Sequence, residues 1–164
     1  MEKKILPDKK LVSVCGLFCL GCGVYYSTIE NNQENLKRIA KKMEIPVDKM
    51  ACYGCRSEVK TPFCSNCEMV KCSKEKGIDF CFECKEYPCE ELIDFQSKMP
   101  HRVELWESQM RIKEIGWENW FLEMVKHYSC DECGIINGWY DFKCRNCGQS
   151  PGNQFINKNF PDKL

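Results

Sequence analysis

The sequence predicts a small α+β fold stabilised by metal, with a cysteine-rich loop core, packed helices and a C-terminal hairpin. Three observations predict it. Eight of the 15 cysteines fall between Cys52 and Cys89, where no apolar run is long enough to build a core. Apolar residues recur at helical spacing on both sides of that stretch. Two C-x2-C-G knuckles near the C-terminus flank an Asn-Gly turn signal.

A chain of 164 residues suits one domain with an appendage. Lys and Arg number 24, as do Asp and Glu, so the net charge is zero. The basic stripe of a nucleic-acid binder is missing at the level of the whole chain. The first ten residues are polar and Lys-rich, with no apolar core of a secretory signal, which places the protein in the cytoplasm. No apolar run is long enough to cross a membrane. In that compartment cysteines spaced as C-x2-C read as metal ligands and not as a disulfide framework, and an odd count leaves one thiol over in any all-disulfide scheme.

In chain order, Met1–Lys10 reads as a loose lead-in, and the β-branched run Leu11–Val14 as a short edge strand. It leads into Cys15-x3-Cys19-x2-Cys22. Tyr25 to Met43 has one apolar face (Ile29, Leu36, Ala40 and Met43) and reads as a single helix stopped by Pro46. A helix starting just after Cys22 aims its positive end at that thiol and favours the thiolate.

The central cysteines follow: Cys52, Cys55, Cys64, Cys67, Cys72, Cys81, Cys84 and Cys89. They hold a short repeat, Phe63-Cys64-x2-Cys67-x4-Cys72 returning as Phe80-Cys81-x2-Cys84-x4-Cys89. Two pairs of C-x2-C sulfurs complete a tetrahedral four-sulfur site, so this segment reads as chain folded around metal. Glu90 to Met99 reads as a short helix ended by Pro100. Arg102 to Tyr128 reads as a helical pair divided at Gly116. Its stripes are Val103, Trp106 and Met110, then Trp117, Trp120, Phe121 and Met124; the pair forms the main apolar core, docked on the helix at residues 25–43.

Cys130-x2-Cys133-Gly134 and Cys144-x2-Cys147-Gly148 enclose Asn137-Gly138 between β-forming residues. Knuckle, hairpin and knuckle predict a zinc ribbon over 129–150. The tail over 151–164, rich in Asn, Pro and Lys, reads as loosely packed. The domain reading is therefore a cysteine-rich metal-binding domain over 1–100, the helical pair over 101–128 packed on it, the ribbon and the tail.

Four cysteines belong to the ribbon and eight to the central segment, enough for three tetrahedral sites. Cys15, Cys19 and Cys22 remain; they borrow a central ligand, or their fourth position is open or filled by another residue. C-x3-C-x2-C is also the spacing of a [4Fe–4S] site with one open iron in radical S-adenosylmethionine enzymes, but the barrel those enzymes build needs on the order of 200 residues. A cluster without that chemistry stays open, because cysteine ligation alone does not separate iron–sulfur from zinc. His101 and His127, the only histidines, lack a ligand motif.

The motifs Cys15-Gly-Leu-Phe-Cys19-Leu-Gly-Cys22, Cys52-Tyr-Gly-Cys55-Arg56, Cys72 through Ile78, and Cys81-Phe-Glu-Cys84-Lys-Glu-Tyr-Pro88-Cys89 occur in order. Over roughly residues 11–95 the chain resembles a prokaryotic cysteine-rich domain family of unknown function. Members similar to this chain also carry the helical stretch Arg111–Gly116 followed by a ribbon. The resemblance implies a metal-binding module and supports the cysteine ligand set, without a reaction or a partner.

The function expected from these readings is a zinc-binding protein with about three structural Zn2+ sites and a surface for an unidentified protein partner, and no reaction is assigned to it. The alternative is an iron–sulfur protein in electron transfer, with a cluster at Cys15, Cys19 and Cys22. Nucleic-acid binding through Trp139, Tyr140, Phe142, Lys143 and Arg145 is opposed by Asp131, Glu132 and Asp141 in the same small unit. Thiol–disulfide exchange lacks the strand–helix–strand context it needs. No catalytic triad, carboxylate pair or phosphate loop is evident.

Overall fold

In the computed structural model of the chain, which describes residues 5–164, the architecture is helical. Residues 1–4 of the predicted lead-in lie outside the described residues. Eight α-helices occur: α1 Gly23–Ile29, α2 Gln33–Met43, α3 Pro62–Ser65, α4 Glu68–Lys76, α5 Glu90–Ser97, α6 Leu105–Ile115, α7 Trp117–Tyr128 and α8 Gln154–Asn159. With the 3-10 turns they take up 54% of the described residues. The predicted α+β class is overturned, for no strand or sheet forms among those residues. The only β pairing there is two isolated bridges, Val12 to Phe18 and Ser129 to Ile136.

The reasons are local. Leu11 to Val14 cannot extend because the backbone folds back at once around Gly16, whose φ is +90°. Ser13 N–H donates to Leu17 O, and Leu17 N–H donates to Ser13 Oγ. The predicted ribbon hairpin fails because its turn residues are engaged elsewhere. Asn137 is fully buried, its amide donating to Ile135 O and to Gly152 O at 2.7 Å and accepting from Arg145 N–H at 3.0 Å. Gly138 N–H donates to Asp141 Oδ2, and Trp139 N–H to Gly21 O. Backbone groups satisfied this way are not free for a ladder.

The single helix expected over residues 25–43 is two. Asn31 takes a left-handed φ of 52°, and Asn32 caps α2 by accepting from Asn35 N–H at 3.0 Å. Leu36 and Ala40 are buried, but Ile29 and Met43 are exposed. Glu44, in a left-handed conformation, ends α2 before Pro46.

The helical pair forms with Gly116 between its members at φ +83°. Its second stripe is buried at Trp120 and Phe121, while Val103 and Met110 of the first are exposed. α6 instead turns Leu105, Ser108, Gln109 and Ile112 inward. The main apolar cluster joins Phe18, Leu20, Trp120, Phe121, Tyr128, Phe155 and Ile156. The pair therefore docks on the loop after Cys15 and on α8, whereas α1 and α2 close a separate cluster of Val24, Leu36, Ala40 and Met50. The tail is not loose: Phe155 and Ile156 have no exposed surface, and Asn153 caps α8 through Ile156 N–H.

A third cluster carries the cysteine-rich half. Val14, Cys15, Met69, Val70, Leu92 and Leu105 form it, with Cys55, Cys67, Cys81 and Cys89 packed against it. Gln109, fully buried on α6, staples this half to the helical pair: its amide donates to Val14 O at 3.1 Å and accepts from Phe82 N–H at 2.9 Å.

Candidate metal centres

All fifteen cysteines are free thiols. The C-terminal four make the tightest group. Two similar turns present them: Gly134 N–H donates to Cys130 O and Gly148 N–H to Cys144 O, both at 2.9 Å. Gly134 and Gly148 reverse the chain at φ 72° and 77°, a conformation that other residues adopt at a cost. The knuckles thus form although the hairpin between them does not.

Among the described residues, Cys130, Cys133, Cys144 and Cys147 are the one group of three or more ligand atoms lying within 4.8 Å of one another. Cys130 and Cys147 Sγ are 3.6 Å apart, as are Cys133 and Cys144 Sγ. A tetrahedron with metal–sulfur bonds of about 2.3 Å has sulfur–sulfur edges of about 3.8 Å, so the four thiols fit one ion closely. Cys130 and Cys144 are buried, and Cys133 and Cys147 are exposed. Burial pushes the Cys144 thiol up, but N–H groups of Cys147 and Asn146 outweigh it and bring the pKa down to about 6. Cys147 goes the other way, to about 12: the Gln149 N–H favours its thiolate, but burial and the three neighbouring thiols outweigh it. Four sulfurs this close do not all ionise without a cation among them.

The other eleven cysteines fall into two adjoining neighbourhoods, linked where Cys81 feels the charge of Cys15 and then Cys67. In the first, Cys15 and Cys19 feel the charge of Cys55, and Cys22 that of Cys52 and then Cys64. Cys55 in turn feels Cys67 and Cys64. The N-terminal triad and Cys52, Cys55, Cys64 and Cys67 therefore form a seven-thiol region. Gly54 lets the chain pass there, at φ +114°; a Cβ on it would stand 2.5 Å from Lys10 O. In the second neighbourhood, Cys72, Cys81, Cys84 and Cys89 line one cleft. The sequence repeat is thus divided: Cys64 and Cys67 of its first unit sit with the N-terminal triad, and Cys72 sits with the second unit.

Burial dominates at the N-terminal triad of this region. Cys22 does cap α1, as the sequence suggests, and the N–H groups of Tyr25 and Val24 do favour its thiolate. Burial is stronger and raises it to about 12, as it does Cys15. The helix terminus alone does not activate this thiol.

The two histidines serve packing. His101 stacks on Trp139 with ring centroids 4.2 Å apart, and its Nδ1 lies 2.7 Å from the Tyr140 hydroxyl. His127 Nε2 meets the buried Glu104 carboxylate at 2.9 Å. Asn159 Nδ2 donates to the same carboxylate, which ties α7 to α8. Trp139 and Tyr140 thus both pack on His101.

Sequence reasoning missed Gln109 and Asn137, since a polar residue in a helix or turn reads as exposed. Only their full burial marks them as supports of the cysteine loops. The structure also sets Lys76 on Cys84, at 3.2 Å from Nζ to Sγ.

The fold and its thiols define a cysteine-rich helical protein with a four-thiol group able to hold a metal ion. Residues 11–94, just over half of the chain, match the model of a family described as "Protein of unknown function (DUF3795)", and the chain belongs to that family. The matched region spans the N-terminal triad and all eight central cysteines, while the C-terminal group lies outside it. No curated protein and no solved structure matches the chain. No helix among the described residues is long and apolar enough to cross a membrane.

Proposed function

We propose that this chain is a zinc-binding protein in which Cys130, Cys133, Cys144 and Cys147 hold one structural Zn2+, and that it works by presenting its surface to a protein partner. The observation that carries the reading is the closure of four sulfurs on one point. A site filled by four protein thiolates leaves the ion no open position for substrate, the condition that separates structural from catalytic zinc. Purified protein should carry zinc there, and Cys133→Ser and Cys147→Ser should each lose about one zinc per chain. Both side chains are exposed, so the substitutions disturb little packing. Unchanged zinc content in both variants would overturn the assignment.

A second reading is favoured by the seven-thiol region. No three of its sulfurs lie within 4.8 Å of one another, unlike the C-terminal four. Wider spacing suits a polynuclear cluster, where each thiolate meets a different metal atom. In this reading Cys15, Cys19 and Cys22 anchor an iron–sulfur cluster and take a fourth ligand from Cys52, Cys55, Cys64 or Cys67.

A further inference from the structure

The second neighbourhood is distinct from the C-terminal group and adjoins the seven-thiol region, for Cys81 and Cys89 pack in one cluster with Cys15, Cys55 and Cys67. Cys72 projects from α4, Cys81 opens a 3-10 turn that Cys84 ends, and Cys89 caps the N-terminus of α5. All four line one cleft of about 220 Å3. Its walls include Met69, Ile78, Tyr87 and Leu92, of which Leu92 is fully buried. The four residues share this lining, and no three of their sulfurs come within 4.8 Å of one another. In the same molecule the C-terminal thiols stand at 3.6 Å, so the difference belongs to the two sites. One tetrahedral ion needs edges of about 3.8 Å and occupies far less room than this cleft.

The charged lining is mixed: Glu68, Glu75, Glu86 and Glu91 stand with Lys71 and Lys76, and Glu86 Oε2 lies 3.9 Å from Cys84 Sγ. Lys76 Nζ sits 3.2 Å from Cys84 Sγ and pairs on its other side with the Glu86 carboxylate, which holds the cation in place. A cluster ligated by four thiolates carries net negative charge, and a donor on a ligating sulfur stabilises it. Cys89 stands at the N-terminus of α5, an eight-residue helix. Apolar side chains and the partly exposed Lys76 in the lining give the partial shielding that tunes such clusters.

We propose that Cys72, Cys81, Cys84 and Cys89 ligate a cubane iron–sulfur cluster of the [4Fe–4S] class, with Lys76 as the positioning cation on Cys84. It depends neither on the C-terminal zinc nor on a cluster at the N-terminal triad. Cys72, on α4, would supply the fourth ligand beside the three cysteines of the Cys81–Cys89 loop.

The test uses the full chain, purified without air and loaded with iron and sulfide or with zinc alone, followed by alkylation and mass-spectrometric mapping of each thiol. Iron and sulfide should protect Cys72, Cys81, Cys84 and Cys89 together and produce a brown, visibly absorbing protein. Zinc alone should protect Cys130, Cys133, Cys144 and Cys147 and leave the cleft thiols reactive. Cys84→Ala should lose about four irons per chain with matching sulfide and keep its zinc. Because Cys84→Ala could also lose iron by failing to fold, the unsubstituted protein's map decides. Protection of the cleft thiols by zinc alone overturns the proposal. So does iron loading that protects only the seven-thiol region, which would leave the N-terminal reading standing. Failure of zinc to protect the C-terminal four overturns the zinc assignment and does not touch this one.

Discussion

Single side chains hold the cysteine loops together, and His101 shows how. It is 9% exposed, stacked on Trp139 and within hydrogen-bond distance of Tyr140, so it joins the start of the helical pair to the unit that carries Cys130 to Cys147. Burial, and then the neighbouring Arg102 guanidinium, bring its pKa down from 6.5 to about 3. Above pH 6.5 the ring is neutral in both folded and unfolded chains, and its contribution is complete. Between pH 6.5 and about 3 the unfolded chain binds the proton and the folded chain does not, so stability falls with falling pH, by up to about 1.4 kcal/mol per unit. Acid also releases thiolate-bound metal, which both wild type and His101→Gln would share. The expected result is a stability difference between the two that narrows or inverts steadily as pH falls from 6.5. A difference independent of pH would show that His101 titrates normally. None of this was legible in the sequence, where His101 is one of two isolated histidines and its partner aromatics lie almost forty residues away. The same holds for Gln109: its position between Val14 O and Phe82 N–H depends on which face α6 turns inward.

At the scale of elements, helices with strong local signals were legible and long-range choices were not. α5, α6 and α7 follow from apolar spacing and from Pro100 and Gly116, whose effects are local. The two knuckles follow equally well, because each is a short turn with its glycine in the left-handed region. The hairpin between them failed on tertiary grounds. Asn137 and Gly138 carry a turn signal, yet their polar groups bind Gly152, Arg145 and Asp141 instead of a paired strand. α8 was missed for the opposite reason: its six residues are too few to show a period. It is nonetheless a main part of the core. Phe155 is fully buried and stacks on Tyr128 at 5.2 Å between ring centroids. Phe155→Ala should therefore cost about 3–5 kcal/mol of unfolding free energy, read by denaturant titration. It should also weaken zinc retention, because Asn137 and Asn153 anchor to Gly152 and Gly138 beside the same helix. A loss under about 1 kcal/mol would return the tail to the loose segment its composition suggested.

The whole molecule divides its stability between two sources. The region carrying α6, α7 and α8 holds an ordinary apolar cluster, with Trp120, Phe121, Phe18, Phe155 and Ile156 all at 1% exposure or less. The cysteine-rich half, from Met50 to Phe95, buries few large side chains, chiefly Met50, Phe80 and Leu92, and its helices α3, α4 and α5 have nine residues or fewer. Isolated helices that short are not stable in water, so they need packing or a ligand to hold them. That half carries eight thiols, of which only Cys52 is buried. A bound structural zinc contributes about 10–16 kcal/mol in small peptides, more than the stability of a typical domain. Metal removal should therefore unfold the molecule in part. After chelation, hydrogen exchange should accelerate across residues 50–95 and at the knuckles, while amides of α7 stay protected and circular dichroism keeps a helical remainder. If α7 loses protection together with the cysteine loops, the apolar cluster does not stand by itself and metal holds the entire fold. If residues 50–95 stay protected, contacts among carbon atoms hold the loops, and their thiols are free for chemistry other than structure.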